Sequence, residues 1–224
     1  MVMTLPRTLL AATIASAILV AFASVGAPAN ASGYDRVPAA RLDIANDANR
    51  EVAVFAGGCF WGVEAVFERV DGVQSAVSGF AGGEVANPSY KQVIRGNTGH
   101  AEAVRVVFDP RKVSYAQLLR AYFSVIADPT LKNRQGPDVG EHYRTAFFPQ
   151  SERQKRVARA YIAQLDKSGT YRRPIVTTIE KGKFYRAEEY HQDFMRKNPR
   201  HPYILAHDAP KVRAFDRLFP GLRR

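Results

Sequence analysis

Residues 51 to 62 read EVAVFAGGCFWG, and no other stretch restricts the fold of this chain so strongly. Val52 to Ala56 is a continuous apolar run closed by Gly57 and Gly58, the pattern of a central strand buried on both faces. Just beyond it, Val63, Val66, Phe67 and Val70 recur at i, i+3, i+4 and i+7, which predicts an amphipathic helix that starts close to Cys59. A strand, two glycines and a helix make a sharp elbow. Such a turn lifts the side chain at its apex clear of the sheet and leaves backbone N–H groups around it without intrahelical partners. At this apex stands the single cysteine of the chain, Cys59, followed by Phe60 and the single tryptophan, Trp61.

One cysteine makes no internal disulfide, so Cys59 is either an inert buried side chain or a thiol kept for its chemistry. The free N–H groups and the helix dipole favour the thiolate. At helix N-termini a cysteine pKa falls from about 8.5 to roughly 3.5 to 7.5, so an ionised Cys59 is expected. Phe60 and Trp61 either fill core or wall a pocket for a small apolar group.

Three further segments carry polar groups of interest. In GHAEAVRVVF, strand alternation puts Glu102 on the face of Val104, Val106 and Phe108. A carboxyl on an apolar face is desolvated and holds its proton near neutral pH, which makes Glu102 a candidate general acid; the alternative is an exposed position at the strand's start. The loop QGPDVGEHYR offers Asp138 and Tyr143 as polar tips, and NPSY sets Tyr90 just past a proline turn. Two tyrosines near a cysteine and an acid are suited to hold an oxygen atom.

At the N-terminus, Arg7 precedes an uncharged apolar stretch from Thr8 to Ala27 and then APANAS. This reads as a secretory signal peptide over residues 1–31, cleaved after Ala31, with an exported and periplasmic product; a membrane anchor is the competing reading. Loss of Arg7 with it takes the net charge from +11 to +10. The basic residues are scattered, so they read as a solvated surface and not as a footprint for nucleic acid.

Residues 32–49 mix Gly, Pro, Asp and Asn without period and read as a linker or surface arm. Residues 50–203 carry the chemistry, with strands expected at VQSAVSGF, AEAVRVVF, RTAFF and PIVTTIE. Helices are expected after capping boxes at Ser114 with Gln117 and at Ser151 with Gln154, and again over Glu188 to Met195. In the tail, 204–224, Ile204, Val212, Phe215, Leu218 and Phe219 predict packing on the domain. Interleaved strands and helices without a long repeat predict one α+β domain with a mixed β-sheet flanked by helices.

GGCFWG, NPSY, GHAE and DVGEHYR, in this order and spacing, resemble the A-type peptide methionine sulfoxide reductases over residues 51 to 203. The resemblance implies a ferredoxin-like α/β sandwich and reduction of methionine S-sulfoxide, in proteins and free. It implies that Cys59 attacks the sulfoxide sulfur and that Glu102 protonates the oxygen. Tyr90 and Tyr143 would hydrogen-bond that oxygen, Phe60 and Trp61 would receive the S-methyl group, and Asp138 would order the site. No metal and no bound cofactor are implied. Many relatives carry a resolving cysteine toward the C-terminus; here HPYILAHDAPKV stands in that region, so the sulfenic acid of Cys59 needs an external thiol, a small molecule or a thioredoxin-like protein. A monomer is the simplest expectation. His142 departs from the glutamine common before the loop tyrosine and is read as a surface or loop residue without a catalytic part. His100 is read as a structural hydrogen-bonder. The rival functions are a thiol hydrolase using His100 or His191 as base, and a basic binding module without catalysis.

Overall fold

The computed structural model describes Met1 and residues 33–224. The signal-peptide reading therefore lies, but for Met1, outside the described residues. Among these, no helix is long and apolar enough to cross a membrane.

The chain runs through β1 (Glu51–Gly57), α1 (Phe60–Glu68), β2 (Val73–Ala81), the short α2 (Tyr90–Val93), β3 (Ala101–Phe108) and α3 (Tyr115–Ala121). A small hairpin follows, β4 (Arg134–Gln135) and β5 (Asp138–Val139), then β6 (Thr145–Phe148), α4 (Glu152–Lys167), β7 (Thr178–Ile179), β8 (Phe184–Arg186), α5 (Phe194–Lys197) and α6 (Ala209–Leu218). Six strands form one sheet in the order β7-β6-β1-β3-β2-β8. All neighbours are antiparallel except β6 and β7, so the sheet is mixed. Its four central strands, taken with α1 and α3, have the split βαβ connection of a ferredoxin-like sandwich.

β1 is interior because both its faces are apolar. Ala53 and Phe55 point into the main core with Val63, Val66 and Phe67 of α1 and Leu118 and Leu119 of α3, whereas Val54 and Ala56 enter a smaller cluster with Ala101, Ala103, Ala146 and Phe148. Phe55 is the centre of the aromatic packing, stacked on Phe67 at 4.8 Å and on Tyr115 at 5.8 Å, with Phe147 edge-on at 5.8 Å. The Tyr122 hydroxyl donates to the Ala56 carbonyl at 2.6 Å, fixing the strand just before the elbow. Gly58 has φ +85, and a Cβ there would lie 2.6 Å from Cβ of Gln135, so the elbow admits glycine only.

Several local expectations need correction. The Ser114–Gln117 capping box forms in both directions, but at Ser151 only half of it does: the Gln154 side chain donates instead to Glu51 and to the Val52 carbonyl, tying α4 to β1. The continuous helix over Glu188–Met195 is broken into a single turn, Glu189–His191, and α5. Gln192 is extended and Asp193 left-handed there, because the Gln192 amide bonds both the N–H and the carbonyl of Ser78, and Glu64 accepts the Asp193 N–H. Of PIVTTIE only Thr178–Ile179 pairs as strand. Residues 33–49 lie along α3 and α4, with the Val37 N–H donating to Ser124, Arg120 to the Val37 carbonyl and Tyr161 to the Pro38 carbonyl. Ile204, Phe215 and Phe219 of the last segment are buried.

Replacing Phe55 by Ala removes the hub of the aromatic packing, and a loss of about 3–5 kcal/mol of stability is expected, read from the shift in the urea unfolding midpoint.

Candidate active site

Cys59 is the N-cap of α1, with non-helical backbone (φ −51, ψ 120), and is 8% exposed. The helix terminus acts on it in the expected sense: the Trp61 N–H donates to the sulfur and favours the thiolate. Burial acts the other way and is the larger effect, pushing the thiol well above its ordinary value, with Glu102 and Asp208 adding to the rise and Lys211 opposing it. The expectation of a resting thiolate is thus overturned. At an elbow this enclosed, desolvation outweighs a few partial charges.

Glu102 is 1% exposed, so the reading of an exposed carboxylate falls away. Its Oε2 accepts the Phe60 N–H at 3.0 Å, which binds the first turn of α1 to β3 and brings the acid beside the cysteine. Burial raises the Glu102 pKa to about 8; the Phe60 N–H opposes this, and Asp138 and Asp208 reinforce it. The carboxyl accordingly keeps its proton at neutral pH.

Around this pair the tyrosines converge. Tyr90 opens α2 behind a Ser89–Gln92 capping box and is anchored by its N–H to Glu188 at 3.0 Å. Burial lifts its hydroxyl pKa to about 12, and that of Tyr143 also rises, in both cases helped by Glu102, Cys59 and Asp138. These groups therefore share one electrostatic neighbourhood. Asp138 accepts a short hydrogen bond from Tyr203, a residue that sequence reasoning did not single out.

The two aromatics diverge. Phe60 is closed into the core, tilted against Phe80, Tyr90 and His191 at 5.8, 6.4 and 5.0 Å. Trp61 is half-buried, stacked on Phe194 at 3.7 Å, with Tyr203 edge-on at 5.8 Å. Its indole N–H donates to His191 Nδ1 at 3.2 Å. A cavity of about 590 Å³ adjoins Asp138 and Tyr203 and is lined also by Gln135, Tyr34, His207 and Lys211; Cys59 and Glu102 are not among its lining residues.

The histidines separate in the same way. His100 has both ring nitrogens engaged, one with the Gly83 N–H at 3.0 Å and one with the Val85 carbonyl at 2.8 Å, as a structural residue should. His142 is buried against Tyr143 and not on the surface, because Gly140 turns the chain around its ring. No group of three or more His, Cys, Asp or Glu side chains is arranged to hold a metal ion among the described residues.

The family model for peptide methionine sulfoxide reductase matches residues 51–220, which is most of the chain. The chain belongs to that family, and to its A type. Peptide methionine sulfoxide reductase MsrA 2 of Mesorhizobium japonicum is 55% identical over 173 residues, 77% of this chain and 89% of the relative. MsrA 2 of Synechocystis is 52% identical over 166 residues, 74% of this chain and 78% of the relative. Among solved structures, methionine sulfoxide reductase A of Corynebacterium diphtheriae matches with a TM-score of 0.58 at 33% identity, covering 67% of this chain and 76% of that one. Mxr1 of Saccharomyces cerevisiae in reduced form matches with the same TM-score at 34% identity, covering 72% and 92%. In this reductase, Tyr203, His191 and Asp208 lie far along the chain from Cys59, and no local motif marks them.

The folded protein holds the Glu102 proton more tightly than the unfolded chain, whose glutamate ionises near 4.5, so stability falls as pH rises from about 4.5 through about 8. Glu102→Gln removes that slope. Chemical denaturation at pH 5, 7 and 9 is expected to show wild type losing on the order of 3 kcal/mol relative to the variant over this range.

Proposed function

We propose that this reductase converts methionine S-sulfoxide to methionine by attack of Cys59 on the sulfoxide sulfur while Glu102 protonates the oxygen. One observation supports this above all: a buried Glu102 accepts the Phe60 N–H in the first turn of α1, directly after the buried Cys59, and burial raises the pKa of both side chains. A sulfoxide sulfur becomes electrophilic once its oxygen is protonated, so a soft nucleophile and an acid must act together.

The proton balance follows from the resting state. Two electrons pass from the cysteine sulfur to the substrate sulfur; the substrate S–O bond breaks and an S–O bond to Cys59 forms. The Glu102 proton stays with that oxygen as the sulfenic hydroxyl, and the thiol proton returns to the Glu102 carboxylate. No free thiolate is needed before the substrate arrives. Tyr90 and Tyr143 are assigned to the sulfoxide oxygen, Trp61 and Phe60 to the S-methyl group, and Asp138 to the orientation of Tyr203. An external thiol, a small molecule or a thioredoxin-like protein, then attacks the sulfenic sulfur, releasing water and leaving a mixed disulfide that a second thiol opens. The thiol-hydrolase reading is disfavoured, since both ring nitrogens of His100 are engaged and His191 Nδ1 already accepts from Trp61. Residues 50–203 carry the catalytic groups in this reading, 204–224 pack onto them, and the monomer suffices.

The mature protein is expected to release methionine from methionine S-sulfoxide with dithiothreitol, and Cys59→Ser to release none; equal product from the variant would sink the assignment. Glu102→Gln is expected to slow sulfenic acid formation by roughly 10²–10⁴-fold with little change in sulfoxide binding, measured by single turnover. Export with cleavage after Ala31 predicts a mature N-terminus at Ser32, which intact-mass measurement of the protein from its host would reveal.

A further inference from the structure

Asp208 is 0% exposed, and neither carboxylate oxygen has a hydrogen-bond partner among the described residues. Lys211 Nζ lies 3.5 Å from Oδ1. It ends a widened helical turn, Ile204–Asp208, of the kind that often marks functional positions, and α6 begins directly after it. That turn presses the carboxylate onto the first turn of α1. A Cβ placed on Gly62 would lie 2.1 Å from Asp208 Oδ1, so the space a side chain would fill three residues after Cys59 is taken by this charge.

A buried carboxylate with so little compensation is a burden on folding, and an asparagine or leucine would cost less. Such a group calls for an explanation in function. The groups that face it are Cys59 and Glu102 from the reacting pair, Asp138 from β5, Tyr203 and His207 from its own segment, Lys211 from α6 and Tyr34 from the arm.

Building on the reductase reading, we propose that Asp208 is a positioning residue for the sulfur chemistry: a buried carboxylate, with Lys211 beside it, seated against the first turn of α1 so that it sets the electrostatic surroundings of Cys59 and Glu102 until the sulfoxide enters. The consequence is protection as well as readiness. A thiolate is the form that oxidants attack, and this chain has no second cysteine to rescue an oxidised Cys59 by disulfide formation. Holding the nucleophile as a thiol lowers its reaction with peroxide, while the proton on Glu102 is the one the substrate oxygen receives. Lys211 limits the effect, because its cation favours the thiolate.

The test uses the mature protein and two neutral variants, Asp208→Asn and Asp208→Ser, each checked for native circular dichroism, so that one misfolded variant leaves the other. The first readout is the pH dependence of Cys59 alkylation by iodoacetamide, which requires no reductase activity. Removal of the charge is expected to move its midpoint down by roughly 0.5–1 pH unit, making alkylation at pH 7 about three- to tenfold faster. The alkaline limb of single-turnover sulfoxide reduction should move down with it, and hydrogen peroxide should convert Cys59 to sulfinic acid faster, as followed by mass spectrometry. Unchanged or raised alkylation midpoints in the folded variants would overturn the proposal, even if the reductase activity stands. Shifted alkylation in a protein that reduces no sulfoxide would instead uphold Asp208 and defeat the reaction assignment.

Discussion

The hydrogen bond from the Phe60 N–H to Glu102 is the constraint on which the rest of the site depends. It spends one of the orphan donors of α1 on a carboxyl that rises from β3, and so joins the elbow to the strand beside it. Because β1 and β3 are direct neighbours in the sheet, a nucleophile at the end of one and an acid at the start of the other are brought together without any long loop. Tyr122 on the Ala56 carbonyl and Gln135 beneath Gly58 hold the elbow from its other sides.

Enclosure then decides the charge states. A helix N-terminus by itself would ionise the cysteine, and an exposed glutamate would ionise too; burial opposes both, so that the resting site holds two protons where an exposed pair would hold none. This suits the reaction. The sulfoxide needs a proton at its oxygen before its sulfur accepts electrons, and a site that has already stored the proton supplies it without recourse to bulk water. It also explains why a buried Asp208 is tolerated beside the pair: its cost to stability is repaid in the state of its neighbours.

Much of the framework could be read from periodicity. The β1 run, the α1 stripe and the Ser114 cap were legible because each is satisfied by residues within one turn or one strand. The failures share a cause. Gln154 leaves its capping box for Glu51, and Gln192 breaks the helix over Glu188–Met195 for Ser78; in each case a partner more than 100 residues away outbids the local one. His142 is taken inside by a turn at Gly140 that composition cannot place.

By itself, the sequence determined which atoms are available: one sulfur at a glycine elbow, an acid on an apolar strand face, and tyrosines at two turns, in a pattern specific enough to name the family. Only the tertiary structure decided how those atoms are charged and who stands behind them. Tyr203, His191 and Asp208 reach the site through packing of the last quarter of the chain. Protonation depends on the water excluded from all sides at once, which is a property of the closed fold and is carried by no short stretch of residues.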